Sequence, residues 1–231
     1  MRTASRPALL AACFALAACS TTKPARDVVS TGFLGPDASL LTAGGPGEAA
    51  RRYQNPKAAW ASYQNVLLDP VTLWREPQTK SGVSARDEQV LTDYFYGVIR
   101  DSLQKYGYKI VTIPEPRTLR VKVAITQAES STVALDVMST VVPQAHALSS
   151  LDGLVTGKPA FAGEAQVEAK ITDAQTGELL AEGIDRRVGG KTLSSAEFSS
   201  WGEVESMMRL WAAHGAWRLC TLAGRKDCPT P

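Results

Sequence analysis

The chain has few of the residues that chemistry most often uses. Histidine occurs only at His146 and His214, and cysteine only at Cys13, Cys19, Cys220 and Cys228. Zinc sites want closely spaced His and Cys ligands, and neither spacing is present, so no metal site and no cofactor are read. There is no Gly-x-Ser-x-Gly elbow and no His-Glu-x-x-His pair. Long apolar runs are missing too. The run over residues 7–18 is well short of the roughly 20 residues a helix needs to span a bilayer. Charge of one sign is also lacking: 25 basic residues face 23 acidic ones, and Arg2 and Arg6 supply the excess of +2. Without residues 1–18 the chain is formally neutral, with no global field to attract nucleic acid or anionic lipid. What remains is ordinary globular material, 231 residues with 44% hydrophobic and 21% charged. That composition excludes global disorder, collagen and a multispanning membrane protein, and leaves room for one sizeable domain or two small ones.

The N-terminus has an address. Arg2 and Arg6 form a basic n-region, and residues 7–18 form an apolar h-region, together a signal peptide over residues 1–18. The run ends in Leu16-Ala17-Ala18-Cys19, which resembles a bacterial lipobox. In lipoproteins of that kind the cysteine becomes the mature N-terminus and carries acyl chains, and several chains anchor a protein effectively permanently. Ser20 follows, where an aspartate would imply retention in the inner membrane, so the expectation is lipid attachment at Cys19, the outer membrane, and a domain in the periplasm.

Residues 19–52 read as the lipidated end and a flexible or partly docked tether. Pro24, Pro36 and Pro46, with Gly32, Gly35, Gly44, Gly45 and Gly47, oppose a helix or a central strand. As free coil such a stretch reaches about 30–35 Å. Phe33-Leu34 and Leu40-Leu41 are apolar exceptions that could dock. Cys220 and Cys228 remain as an even pair in an oxidising compartment. A structural disulfide is favoured over free thiols.

Residues 53–231 read as a single α+β domain. Val66-Leu67-Leu68 is a buried strand. Ser84 and Asp87 make a capping box ahead of a helix carrying Val90, Leu91, Tyr94, Phe95, Val98 and Ile99, with Gly107 as its stop. Residues 108–113 and 119–125 are further strands. Residues 165–171 and 179–188 form a hairpin around Asp173-Ala174-Gln175-Thr176-Gly177. Alternation implies one sheet face on the core and one in water, so the sheet is mostly antiparallel. Ser200 and Glu203 suggest a second capping box, before a helix bearing Trp201, Val204, Met208, Trp211 and Leu219. The order predicts a two-layer sandwich with two main helices packed on one face.

Several segments resemble one family in order along the mature chain. They are Arg52-Tyr53-Gln54-Asn55-Pro56, Leu68-Asp69-Pro70-Val71 with Trp74, Asp93-Tyr94-Phe95 and Ser139-Thr140-Val141-Val142-Pro143. Asp173-Ala174-Gln175-Thr176-Gly177-Glu178-Leu179, Asp185-Arg186-Arg187 with Gly189-Gly190, and Phe198-Ser199-Ser200-Trp201 continue the series. The chain resembles the Domain of Unknown Function 3313 family of bacterial lipoproteins. That resemblance implies an envelope address and assigns no activity.

Candidate site residues are few. Gly153-Leu154-Val155-Thr156-Gly157-Lys158 is not a phosphate loop, because it has one residue too few and Pro159 replaces the magnesium-binding Ser or Thr. Arg186 and Arg187 either pair ions across the hairpin or bind a carboxylate or phosphate. Leu210 and Trp217 lie opposite the expected core stripe of the last helix, as an interface or as packing for the C-terminal loop. Residues 133–161 are apolar with few charges, either a covering helix or a loop that meets a partner or membrane. The expected function is a non-catalytic protein-interaction or assembly module, membrane-bound through Cys19, with an envelope protein as partner and no nucleic acid. The alternative is a binding module for a small anionic ligand or cell-wall fragment.

Overall fold

The computed structural model describes residues 22–75, 84–129, 163–189 and 201–231. The expected signal segment, Cys19, His146, Ser200 and residues 133–161 lie outside them. In chain order the elements are strands β1 (Lys23–Ala25), β2 (Thr42–Ala43), β3 (Arg51–Gln54), β4 (Asn65–Leu68) and β5 (Thr72–Leu73), then helix α1 (Ala85–Lys105). Strands β6 (Lys109–Val111), β7 (Thr118–Glu129), β8 (Glu164–Asp173) and β9 (Leu179–Val188) follow, and helix α2 (Gly202–Leu222) ends the series.

Alternation builds the centre of the sheet. β7, β8 and β9 pair antiparallel, with Val123 opposite Ala169 and Ala169 opposite Gly183. Leu119, Val121, Val123 and Ile125 all point into the core. The full order is β2-β3-β9-β8-β7-β4-β6, with β1 also on β9 and β5 on β7. The sheet is mixed rather than purely antiparallel, because β4 runs parallel to both β6 and β7. The reason is α1: a helix between two neighbouring strands returns the chain in the same direction.

Both helices cover one face, so the architecture is a two-layer α+β sandwich. α1 starts where its local chemistry dictates: Ser84 Oγ accepts from the Asp87 amide at 3.1 Å and donates to the Asp87 carboxylate at 2.8 Å. Gly107, at φ +82°, lets the chain turn out of the helix. Leu91, Phe95, Ile99 and Leu103 form the buried stripe, while Val90 stays 52% exposed and outside it. α2 buries Val204, Met207, Met208, Ala212, Ala216 and Leu219. Its N-cap is Trp201, with no side-chain cap bond. The Glu203 carboxylate accepts from the Gly163 amide, tying α2 to the start of β8, and the expected cap at Ser200 lies outside the described residues.

The second sheet face is only partly in water: the Arg120 and Lys122 side chains of β7 stay partly exposed there, while β8 and β9 are covered. Residues 22–50 run across it as a strap, and the expected boundary at residue 53 falls inside β3. β1 pairs with the end of β9, and the β2–β3 hairpin adds to the same edge. Val28, Leu34, Leu41 and Ala50 bury against Ile184 as a second small core. At the C-terminus, Cys220 and Cys228 are joined in a disulfide with Cα atoms 5.9 Å apart. Tyr106 donates to the Pro229 carbonyl at 2.6 Å, and Arg225 lies 4.2 Å over the Tyr108 ring, so the tail is held against the core.

Candidate functional site

β9 sends its neighbouring side chains to opposite faces, and this separates the two candidate arginines. Arg186 faces the strap. Its Nε donates to Glu164 at 2.6 Å and its Nη1 to the Asp27 carbonyl at 3.0 Å. Glu164 is fully buried, so Arg186 is committed to a structural ion pair across the hairpin. The same face holds the strap along its length. Glu168, also fully buried, accepts from the Thr31 amide at 2.7 Å, from the Thr31 hydroxyl at 3.0 Å and from Ser30 at 3.3 Å. Gln166 donates to the Val29 carbonyl at 3.0 Å, and Lys170 to the Leu34 carbonyl at 3.2 Å.

Arg187 faces the helices. Its Nε lies 3.3 Å from Asp185 Oδ2, and its Nη1 donates to Thr22 Oγ1 at 3.4 Å. Asp185 also accepts from the Trp211 indole at 2.6 Å and from the Ala50 amide at 3.0 Å. That carboxylate therefore joins β9, α2 and the chain just before β3.

Beside this node a cavity of about 270 Å³ opens between the sheet and α2. Ala169, Ala181 and Gly183 line its sheet side, and Leu210, Ala212, Gly215 and Ala216 its helix side. These small side chains explain the space, since a methyl group or a hydrogen cannot fill the gap between packed layers. Val123, Ile99 and Leu103 close its inner end. The rim is polar. Glu48 lies 3.2 Å from Arg52 and 2.8 Å from Arg218. The Gly45 amide holds the Glu48 carboxyl below its ordinary range; burial opposes this, and the two guanidiniums reinforce it. At His214, burial and then the nearby Arg187 charge push the pKa down against the pull of Asp185, so the imidazole is neutral at pH 7.

Of the sequence candidates, Leu210 and Arg187 meet at this cavity. Arg186 is on the other face. Trp217 is half-buried and packs against the main core. Sequence reasoning did not single out Glu48, Arg218 or the small residues of β8 and β9. Each is unremarkable in its own segment and acquires a role only when four elements converge. Among the described residues, no group of three or more His, Cys, Asp or Glu is placed to hold a metal ion. Among them, too, no helix is long and apolar enough to cross a membrane.

The family model for DUF3313, a protein family of unknown function, matches residues 6–214. The chain belongs to the DUF3313 family. No protein of curated function matches it. Among solved structures, this DUF3313 chain is similar to a PelC dodecamer from Paraburkholderia phytofirmans at 11% identity, covering 76% of this chain and 98% of that one, with a TM-score of 0.41. A DUF330 protein from Xanthomonas campestris gives 13% identity, 75% and 92% coverage and a TM-score of 0.40. A DUF4136 protein from Bacteroides thetaiotaomicron gives 9% identity, 75% and 94% coverage and a TM-score of 0.33. One of the DUF3313-like segments is a folding device. Asp173 in the β8–β9 turn accepts from the Gln175 amide at 2.9 Å, the Thr176 amide at 2.8 Å and the Tyr63 hydroxyl at 3.0 Å. Burial, then that bond to Asp173, push the Tyr63 phenol up to about 12.

Proposed function

We propose that this protein is a non-catalytic envelope lipoprotein, anchored through Cys19 in the outer membrane with its domain in the periplasm, that docks another envelope protein at the membrane surface. The observation that carries the reading is the short path from the lipobox cysteine to the fold. Thr22 already bonds Arg187, and β1 begins at Lys23. Three residues extend at most roughly 11 Å. A strapped N-terminus therefore does not have the reach of a 30–35 Å coil. Acylation at Cys19 would hold the β1 edge of the sheet close to the bilayer in one orientation, which suits a platform better than a searching arm. Contact residues for a partner lie on and beside the strap. Val29 is 73% exposed, and Trp74, 39% exposed, stacks edge-on against Phe33 with centroids 5.6 Å apart. Aromatic residues with open faces are favoured at protein interfaces.

Crosslinking in intact cells, followed by affinity purification and mass spectrometry, tests this. The lipidated protein is compared with a Cys19→Ala chain released by a cleavable secretory signal. The expected result is one near-stoichiometric protein partner, lost without the anchor. An intact mass with an unmodified N-terminus starting elsewhere would remove the anchor, and the absence of any specific protein partner would remove the docking role.

A further inference from the structure

The cavity between α2 and the sheet has a purpose that the platform reading does not use. We propose that it binds one single-chain amphiphile with an anionic head. Carbon lines its interior from both layers, with Ala169, Ala181 and Ala216 leaving the room. Its volume of about 270 Å³ exceeds the ~150 Å³ of an engineered apolar cavity that stays dry and takes up benzene. It lies just below the ~300 Å³ at which small-molecule pockets begin, so it holds one chain and not two.

The rim selects the sign of the head. Arg52 and Arg218 share the single carboxylate of Glu48, at 3.2 and 2.8 Å. Two guanidiniums on one carboxylate leave one positive charge unneutralised at the rim, because Glu182, a further acid of the lining, sits opposite Lys170 and turns its side chain to the strap face of β9. The third rim arginine, Arg187, has Asp185 as its own counter-ion, and Asp185 is already engaged by the Ala50 amide and the Trp211 indole. A carboxylate or phosphate head entering beside Arg218 completes the charge balance and meets a guanidinium fork suited to it. A cationic head would add to the excess. The cavity lies within the domain and does not depend on the anchor, so protein without acyl chains still tests it.

The probe is dodecanoate, titrated calorimetrically into detergent-free Cys19→Ala protein, with dodecyltrimethylammonium as the same tail bearing the opposite charge. Saturable 1:1 binding of dodecanoate is expected, with the cation at least tenfold weaker. Ala169→Leu, which fills the cavity, should weaken dodecanoate at least tenfold while keeping a cooperative melt. Ala181→Leu fills it from the neighbouring strand, should Ala169→Leu fail to fold. Arg218→Glu should invert the preference between the two heads. No saturable binding, equal binding of both heads, or unchanged binding in a folded cavity-filled variant would overturn the proposal. So would dodecanoate binding to Cys19→Ala but not to the lipidated protein, because the occupant would then be the protein's own acyl chain.

Discussion

Glu182 is a carboxylate buried at a cost to the fold. It lies on β9 under the strap, 4% exposed, and among the described residues neither carboxylate oxygen has a hydrogen-bond partner. Its neighbour across the ladder, Lys170, reaches instead to Asp37 and the Leu34 carbonyl. Burial raises the Glu182 pKa; Lys170 opposes this, and Asp37 and Glu168 add to it. The folded state then binds this proton more tightly than the unfolded chain, whose carboxyl titrates near ~4.3. Its contribution to stability is therefore fully present below that pH and is lost as the pH rises through the raised folded value. Glu182→Gln should stabilise the protein at pH 7 by about 1–2 kcal/mol, relieving the unsatisfied buried charge. The gain should fade towards pH 4, and thermal melts across that range check it. Equal destabilisation at both ends would mean that the carboxylate is a needed acceptor. In the sequence, Glu182 reads as one more polar residue on a wet face, since nothing in β9 tells that a distant segment will cover it.

At the scale of elements, α1 and α2 differ in how local their signals are. α1 was legible because its cap, its apolar stripe and its Gly107 stop all act within a few residues of one another. α2 was legible as a helix with a buried stripe of Val204, Met208 and Leu219, but its second covered face was not. Glu203 reaches Gly163, 40 positions away in the chain, a partner that no local spacing announces. Trp217 was set on an outer stripe by helical spacing, but α2 lies in the angle between α1, the sheet and the disulfide-closed tail, so more than one of its faces is covered. Trp217→Ala should cost about 2–3 kcal/mol in a denaturant melt, below the range for a fully buried Trp because the residue is only partly buried. A cost under about 0.5 kcal/mol, typical of an open surface site, would return it to the list of contact residues.

For the whole molecule, the strap decides what counts as the domain. A chain beginning at residue 53, the boundary read from composition, would lose β1, β2 and half of β3, and would open Ile184 and Glu168 to water. Burial of Val28, Leu34 and Leu41 contributes roughly 1.5–3 kcal/mol each before the cost of ordering the strap. Such a truncation should melt roughly 10 °C or more below a chain beginning at residue 20. Equal melting temperatures would mean that the strap adds nothing to the fold. A proline- and glycine-rich segment cannot form a long helix or a central strand, and that inference was sound. Of the two states the sequence left open, the docked one is found, with Leu34 and Leu41 buried, because short edge strands and buried side chains need only a few residues with extended backbone.

Local sequence patterns were enough for the two helices, the β8–β9 hairpin and the α+β class. Each rests on patterns whose parts lie within one or two turns or one strand length of each other. Packing of the whole chain set the parallel placing of β4, the strap over β8 and β9, and the cavity with its arginine rim. Those depend on contacts such as Thr31 with Glu168 and Glu48 with Arg218, between residues more than a hundred positions apart. Local spacing carries no record of such partners, because chain closure over that length leaves pairing to the packing of the whole.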